Sequence, residues 1–168
     1  MTQLNNHNVG SLSAAVETPT YDRQAVTPGI VHIGVGGFHR AHQAMYVDAL
    51  MNQGEALDWG IVGVGVMPGD KRMQQALAAQ DYLYTLVVKH PDGEYQPRVI
   101  GSMVNYLFAP EDPEAVIETM ADPAIKIVSL TVTEGGYNFH PVSGEFNLDA
   151  PQVRDDLAHP ERPPPALA

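Results

Sequence analysis

The chain predicts an α/β fold: a mostly parallel sheet with helices on both faces and a β-hairpin inserted midway. Three observations carry that prediction. The short apolar runs at 30–35 and 59–66 carry no acid or base stronger than a histidine and read as strands buried on both faces. A helical pattern follows each of them, which gives strand, helix, strand, helix, the start of a parallel α/β sheet. Two β-rich runs then flank Pro91-Asp92-Gly93-Glu94, a turn signal that suits antiparallel pairing better than a crossover helix.

Taken in order, residues 1–28 form an irregular N-terminal arm, rich in Asn, Ser and Thr, expected to pack on another part of the protein. The run IVHIGV holds four β-branched residues. Residues 39–53 place Ala41, Ala44, Met45, Val47 and Leu50 among polar neighbours, a helix that Gly54 suits as its C-terminal stop. WGIVGVGV is the second strand and KRMQQALAAQ, residues 71–80, a helix by propensity. YLYTLVVKH and YQPRVIGS form the hairpin. Residues 110–122 open with acids and Pro113, which suits a helix N-terminus. AIKIVSLTV, residues 124–132, is the next central strand, with Lys126 near the start of that buried run, and it leads into Thr133-Glu134-Gly135-Gly136-Tyr137. The domain so defined covers 29–150. Residues 151–168, with Pro160, Pro163, Pro164 and Pro165, read as a proline-rich, exposed or truncated tail.

Composition excludes several function classes. With 9 Lys and Arg against 20 Asp and Glu, the formal charge is −11, and no basic cluster exists to meet a nucleic-acid backbone. Hydrophobic content of 44% supports a real core. The sequence holds no cysteine, hence no disulfide or thiolate metal site, which fits a reducing compartment. No secretory pattern opens the chain and no apolar run approaches the roughly 18 residues of a membrane span. The expectation is a cytoplasmic protein with no nucleic-acid or membrane partner.

The chemistry concentrates at GVGGFHRAH. Gly34 and Gly36 stand at G-x-G positions directly after a strand and before a helix, where bare backbone can approach a pyrophosphate and helix N–H groups can meet it. The third glycine of the fingerprint would fall at His39, so close helix–strand packing must come from Gly37 or Ala41. A plain strand-to-helix turn is the competing reading. Asp70, four residues past the second strand, sits where a ribose-binding acid belongs; equally, it could cap the helix at 71–80. His39 and His42 have a spacing that could serve a metal, but no third ligand is evident, and polar residues at a helix start explain them better. GVGVMPG lacks the Lys-Ser/Thr of a P-loop. Glu134 stands past a strand, where ligands of open α/β sheets bind, or serves as a helix cap, and Tyr137 could stack or donate nearby.

GVGGFHRAHQA, a second GVG-containing strand, DYLYTLV and LTVTEGGY appear in that order and resemble the polyol-specific long-chain dehydrogenases and reductases. Mannitol 2-dehydrogenases are the nearest branch, with fructuronate and tagaturonate reductases and arabinitol dehydrogenase as cousins. The likeness runs from about Ile30 to about Pro160, the N-terminal half of such an enzyme. It implies a Rossmann-like domain, a mostly helical C-terminal domain beyond it, and NAD(P)-dependent interconversion of a polyol and a ketose without a catalytic metal. By that resemblance Ile33, Gly34, Val35, Gly36, Gly37, Phe38, His39 and Arg40 form the coenzyme turn and Asp70 holds the ribose hydroxyls. Thr133 then joins the coenzyme site, and Glu134 is the carboxylate on the proton path. A single acid at Asp70, after Gly69, points to NAD as the coenzyme.

The departures from the family matter as much. The lysine base of such enzymes belongs to the C-terminal domain, and Lys71, Lys89 and Lys126 fit no such role. The Val-Asp-Arg signature is also absent. The expectation is therefore the coenzyme-binding half of a mannitol 2-dehydrogenase-type enzyme, inactive alone. The alternatives are a non-catalytic NAD-binding module and the same domain from a cousin enzyme.

Overall fold

A computed structural model describes residues 3–12, 14–132 and 134–161. The chain divides into two units, 1–129 and 130–168. The first unit begins its sheet with β1 (Pro28–Ile33), which pairs in parallel with β2 (Gly60–Gly65), Val31 opposite Val62 and Ile33 opposite Val64. β2 pairs in parallel with a further strand over Met103–Phe108. Between β2 and that strand come a helix at Lys71–Ala78 and a two-stranded antiparallel sheet of β3 (Tyr84–Lys89) and β4 (Tyr95–Ile100). Gly93 takes a left-handed φ of 90° in the turn between them, the conformation that the Asp-Gly pair predicts.

The strand at Met103–Phe108, β5, has no counterpart in the sequence reading, whose second hairpin run stops at Ser102. The helices are α1 (Gly37–Ala41), α2 (Gln43–Met51), α3 (Lys71–Ala78) and α4 (Pro113–Ala121). Pro113 fills the first turn of α4, and Asp112 caps it by accepting from the Ala115 N–H. Strand alternation sends Ile30, Ile61 and Met103 to one face, against Ala44 of α2 and Leu77 of α3. Val31, Val62 and Val64 face the other way, against Val116 of α4. Helices thus cover both faces, as predicted.

Two elements differ from their expectation. The helix expected over 39–53 starts at Gly37 and breaks at His42, whose φ of −123° and ψ of −80° leave the helical region. His42 Nδ1 lies 2.9 Å from the Phe38 carbonyl oxygen, which also accepts the His42 N–H, and such local side-chain bonding competes with helix continuity. Gly54, at φ 83°, ends α2 as expected.

The run 124–132 contracts to β6 (Ile127–Leu130), and the sheet order β5-β2-β1-β6 places it at an edge, not at the centre. Three of its four residues are exposed, since no described strand pairs with its outer side. Lys126 accordingly lies at the surface, paired with Asp58 and 4.5 Å from the centre of the Trp59 ring.

The arm lies along the hairpin. The Val99 N–H donates to the Glu17 carbonyl at 2.7 Å, and the Arg23 guanidinium reaches the carbonyls of Asp81, Gly101 and Met103. Close backbone approach at the start of β1 requires Gly29: a Cβ there would run into the Asp58 carbonyl oxygen and lie 2.9 Å from Trp59 Cα. Alanine at Gly29 is expected to cost about 1–3 kcal/mol, read as a lower urea midpoint.

In the second unit a 3-10 turn covers Glu134–Tyr137, and Phe139 bridges antiparallel to Phe146. The first residues of the proline-rich tail form α5 (Pro151–Ala158), which Pro151 opens from its first turn. Pro163, Pro164 and Pro165 lie outside the described residues. Among the described residues no helix is long and apolar enough to cross a membrane.

Candidate functional site

The site grows from the end of β1. Gly34 turns the chain with φ 86°, a conformation that a side chain strains, while its N–H still donates to the Val64 carbonyl of β2 at 2.8 Å. The Gly36 N–H folds back on the Gly34 carbonyl at 2.9 Å, and α1 begins at Gly37. A Cβ built on Gly34, Gly36 or Gly37 would meet nothing within 4 Å, so the turn opens onto free space. Gly36 offers no side chain to cap the first helical N–H groups, which leaves the Gly37 and Phe38 N–H groups for an outside acceptor.

The neighbouring side chains hold the turn from behind. Val35 is buried and packs towards Gly63, where a Cβ would stand 2.6 Å from Val35 Cγ2. Arg40 folds back so that Nη1 donates to the Val35 carbonyl at 2.5 Å, and the Tyr84 hydroxyl donates to the Arg40 carbonyl at 2.6 Å. Burial pushes the Tyr84 phenol above its ordinary range. Ile33, half-buried, ends β1 and packs with Val31 and Val64. Phe38 is 66% exposed, with its ring stacked on His42 at 4.4 Å.

His39, expected in the turn, points inward: its ring is 1% exposed and stacks on His32 at 3.8 Å. His39 and His42 therefore face different partners. Burial, then the neighbouring His32, hold the His39 pKa down at about 4.

Asp70 stands beyond β2, next in the sheet to β1. Its Oδ2 accepts the N–H groups of Val66 and Met67, each at 3.0 Å, and it makes no side-chain cap on α3. The cap reading thus finds no bond, and Oδ1 remains for another donor. Tyr106 lies alongside, its phenol pushed up to about 12 by burial and then by the Asp70 charge. Glu134 opens its 3-10 turn, while its side chain and the whole of Thr133 lie outside the described residues.

The lysines are engaged elsewhere. Lys71 pairs with Glu111, Lys126 with Asp58, and Lys89 lies 5.5 Å from the Tyr95 ring centre. A concavity of about 480 Å³ lies between the arm, α2 and β4, lined by Thr18, Thr20, Asp48, Asn52 and Arg98, and it shares no residue with the turn. Sequence reasoning missed His32, Gln43, Tyr84 and Ser129, whose contacts run to His39, Arg40 and one another; the one available signal was a histidine inside an apolar strand.

An exposed turn of free N–H groups beside a half-free carboxylate at adjoining strand ends can hold a phosphate and a hydroxyl pair together. The family described as mannitol dehydrogenase Rossmann domain matches residues 28–166. The mannitol 2-dehydrogenase of Cereibacter sphaeroides is 54% identical, over 93% of this chain and 32% of its own length. The polyol:NADP oxidoreductase of Gluconobacter oxydans is 46% identical, over 95% and 33%. The structure of Pseudomonas fluorescens mannitol 2-dehydrogenase in ternary complex with NAD and D-mannitol superposes with a TM-score of 0.85 at 48% identity, covering 97% of this chain and 33% of that one. A substrate-free D-sorbitol dehydrogenase gives a TM-score of 0.82 at 45% identity, covering 97% of this chain and 34% of that one. The chain thus spans about a third of these relatives' length, less than the half implied by the resemblance. Fold, turn and similarity agree: the chain belongs to the mannitol dehydrogenase family, within which it matches the Rossmann domain.

Proposed function

We propose that this chain is the NAD-binding domain of a cytoplasmic polyol oxidoreductase that interconverts D-mannitol and D-fructose. The observation that carries the reading is the glycine turn, with its left-handed Gly34 and open space at Gly34, Gly36 and Gly37. The N–H groups of Gly37 and Phe38 receive the pyrophosphate. Ile33, Val35, His39 and Arg40 act from behind by shaping that backbone. Asp70 keeps one oxygen on the Val66 and Met67 N–H groups and offers the other to the ribose hydroxyls. The relatives named for mannitol, at 54% and 48% identity, support the substrate.

Bound NAD supplies the hydride acceptor. This chain's residues hold and orient the coenzyme; Glu134 takes the proton-path role that the resemblance implies, and Thr133 joins the coenzyme contacts. The resemblance puts the lysine base in a helical domain, and Lys71, Lys89 and Lys126 are engaged elsewhere, so these 168 residues are expected to bind NAD without turnover. Titrating NADH by its fluorescence while assaying fructose reduction tests both halves of that statement. Absence of NADH binding overturns the domain's role, and turnover by the chain alone overturns the need for a further domain.

The coenzyme preference has its own test. Asparagine at Asp70 retains an oxygen for the Val66 and Met67 N–H groups but loses the charge that repels a 2′-phosphate. The ratio of NAD to NADP affinity is expected to fall by about tenfold, the worth of one charge-assisted contact. An unchanged ratio removes Asp70 from the ribose.

A further inference from the structure

Strand β2 reads GIVGVG, and two of its glycines make room for a side chain from the next strand. The parallel register sets Tyr106 of β5 opposite Gly63. Its ring crosses β2 over the space that Gly63 and Gly65 leave bare. A Cβ on Gly63 would stand 3.2 Å from Tyr106 Cδ2, and one on Gly65 would stand 2.5 Å from Tyr106 Oη. The ring belongs to the core that holds Val35, Leu77 and Met103, and the residue is 3% exposed. The hydroxyl thereby arrives at the C-terminal end of β2, the strand beside the one that ends in the glycine turn.

Two polar atoms go unused there. A Cβ on Gly65 would also lie 2.7 Å from Asp70 Cβ, so the Tyr106 hydroxyl and Asp70 share the space over one glycine. Yet they do not bond each other. Asp70 Oδ2 takes the Val66 and Met67 N–H groups, and Oδ1 takes none. Among the described residues the Tyr106 hydroxyl has no hydrogen-bond partner. The buried side-chain polar atoms that lack a partner among those residues are His39 Nε2 and Arg98 Nε. The phenol oxygen, unbonded and not one of them, therefore reaches open space. Burial, then the Asp70 charge, push the phenol up to about 12, so it keeps its proton and stays a donor. A free donor and a free acceptor at one place suit a group that both accepts and donates, and a hydroxyl does both.

We infer that Tyr106 is a further coenzyme-binding residue, which reads the adenosine ribose jointly with Asp70: one ribose hydroxyl donates to Asp70 Oδ1 while its oxygen accepts the Tyr106 O–H. The inference rests on the coenzyme reading of the glycine turn and Asp70. It goes further in drawing a contact from β5, which carries neither, and in giving Gly63 and Gly65 a purpose.

ADP, the part that NAD and ADP-ribose share, is the probe, together with its 2′-deoxy and 3′-deoxy analogues. Each displaces NADH from the whole chain, followed by NADH fluorescence. Tyr106→Phe keeps the ring over Gly63 and Gly65, and its thermal midpoint is expected to match that of the unsubstituted chain, because the hydroxyl holds nothing in the fold. Its affinity for ADP is expected to fall about fivefold, the worth of one neutral hydrogen bond. The analogue that lacks the hydroxyl met by Tyr106 is expected to bind the variant at least as well as the unsubstituted chain, since neither complex holds that bond. The other analogue keeps the fivefold difference.

Equal ADP affinity for the two proteins overturns the inference. So does a variant that loses ADP and both analogues by one common factor, the pattern expected if the phenol held a water molecule and not the ribose. An unsubstituted chain that binds no NADH removes the coenzyme reading first, whereas one that binds NADH without a Tyr106 effect removes this inference alone.

Discussion

Alanine in place of Asp48 is expected to lower the unfolding free energy by about 3–5 kcal/mol, the usual cost of breaking a buried ion pair from one side. Asp48 lies on α2, and its side chain is 1% exposed. Oδ1 accepts the Tyr21 hydroxyl at 2.7 Å and the Gly101 N–H at 2.8 Å. Oδ2 accepts Asn52 Nδ2 at 3.1 Å and Arg98 Nη2 at 3.2 Å. One carboxylate therefore ties the arm, α2, β4 and the link into β5.

Its loss leaves the Gly101 N–H buried without an acceptor. Among the described residues Arg98 then keeps only the half-exposed Glu17, 4.0 Å away, and its Nε has no hydrogen-bond partner there even now. Asparagine at the same position retains the shape and is expected to cost less, about 1–2 kcal/mol. Urea unfolding of the two variants measures both. An alanine variant within about 1 kcal/mol of the unsubstituted chain shows that the arm is anchored elsewhere.

Valine at Gly36 is expected to do the opposite: leave the fold intact and weaken ADP-ribose at least about a hundredfold, or about 2.7 kcal/mol. Gly36 has φ −78° and ψ −179°, ordinary extended backbone, and a Cβ there meets nothing. The added methyl groups enter only the space proposed for the phosphates. Alanine at Gly34 separates the two effects, since its φ of 86° adds about 1–2 kcal/mol of backbone strain. Thermal midpoints beside calorimetric affinities report the contrast. A Gly36→Val chain that binds normally places the phosphates elsewhere.

Much of the candidate site was legible in the sequence. The glycine turn was readable because a strand, bare backbone and a helix start are contiguous, and Asp70 because its strand end is local. His39 was not. Beginning α1 at Gly37 instead of position 39 changes the phase of its side chains, so Phe38 points out and His39 in. The bonds of Asp70 run back to Val66 and Met67 and not forward into α3, and that depends on the 3-10 turn at Pro68–Asp70. β5 escaped notice because a two-residue break is a weak signal inside a β-rich run.

The sequence alone determined the opening strand-helix-strand-helix order, the hairpin, the glycine turn and the acid that follows the second strand, since burial patterns, glycine freedom and turn chemistry act within a few residues. The tertiary structure alone decided that β6 lies at an edge, that Asp48 joins four segments, and that His32 and His39 meet behind the turn. Those outcomes depend on partners far apart in the chain, 97 positions for His32 and Ser129 and 53 for Asp48 and Gly101, and no local pattern encodes such distances.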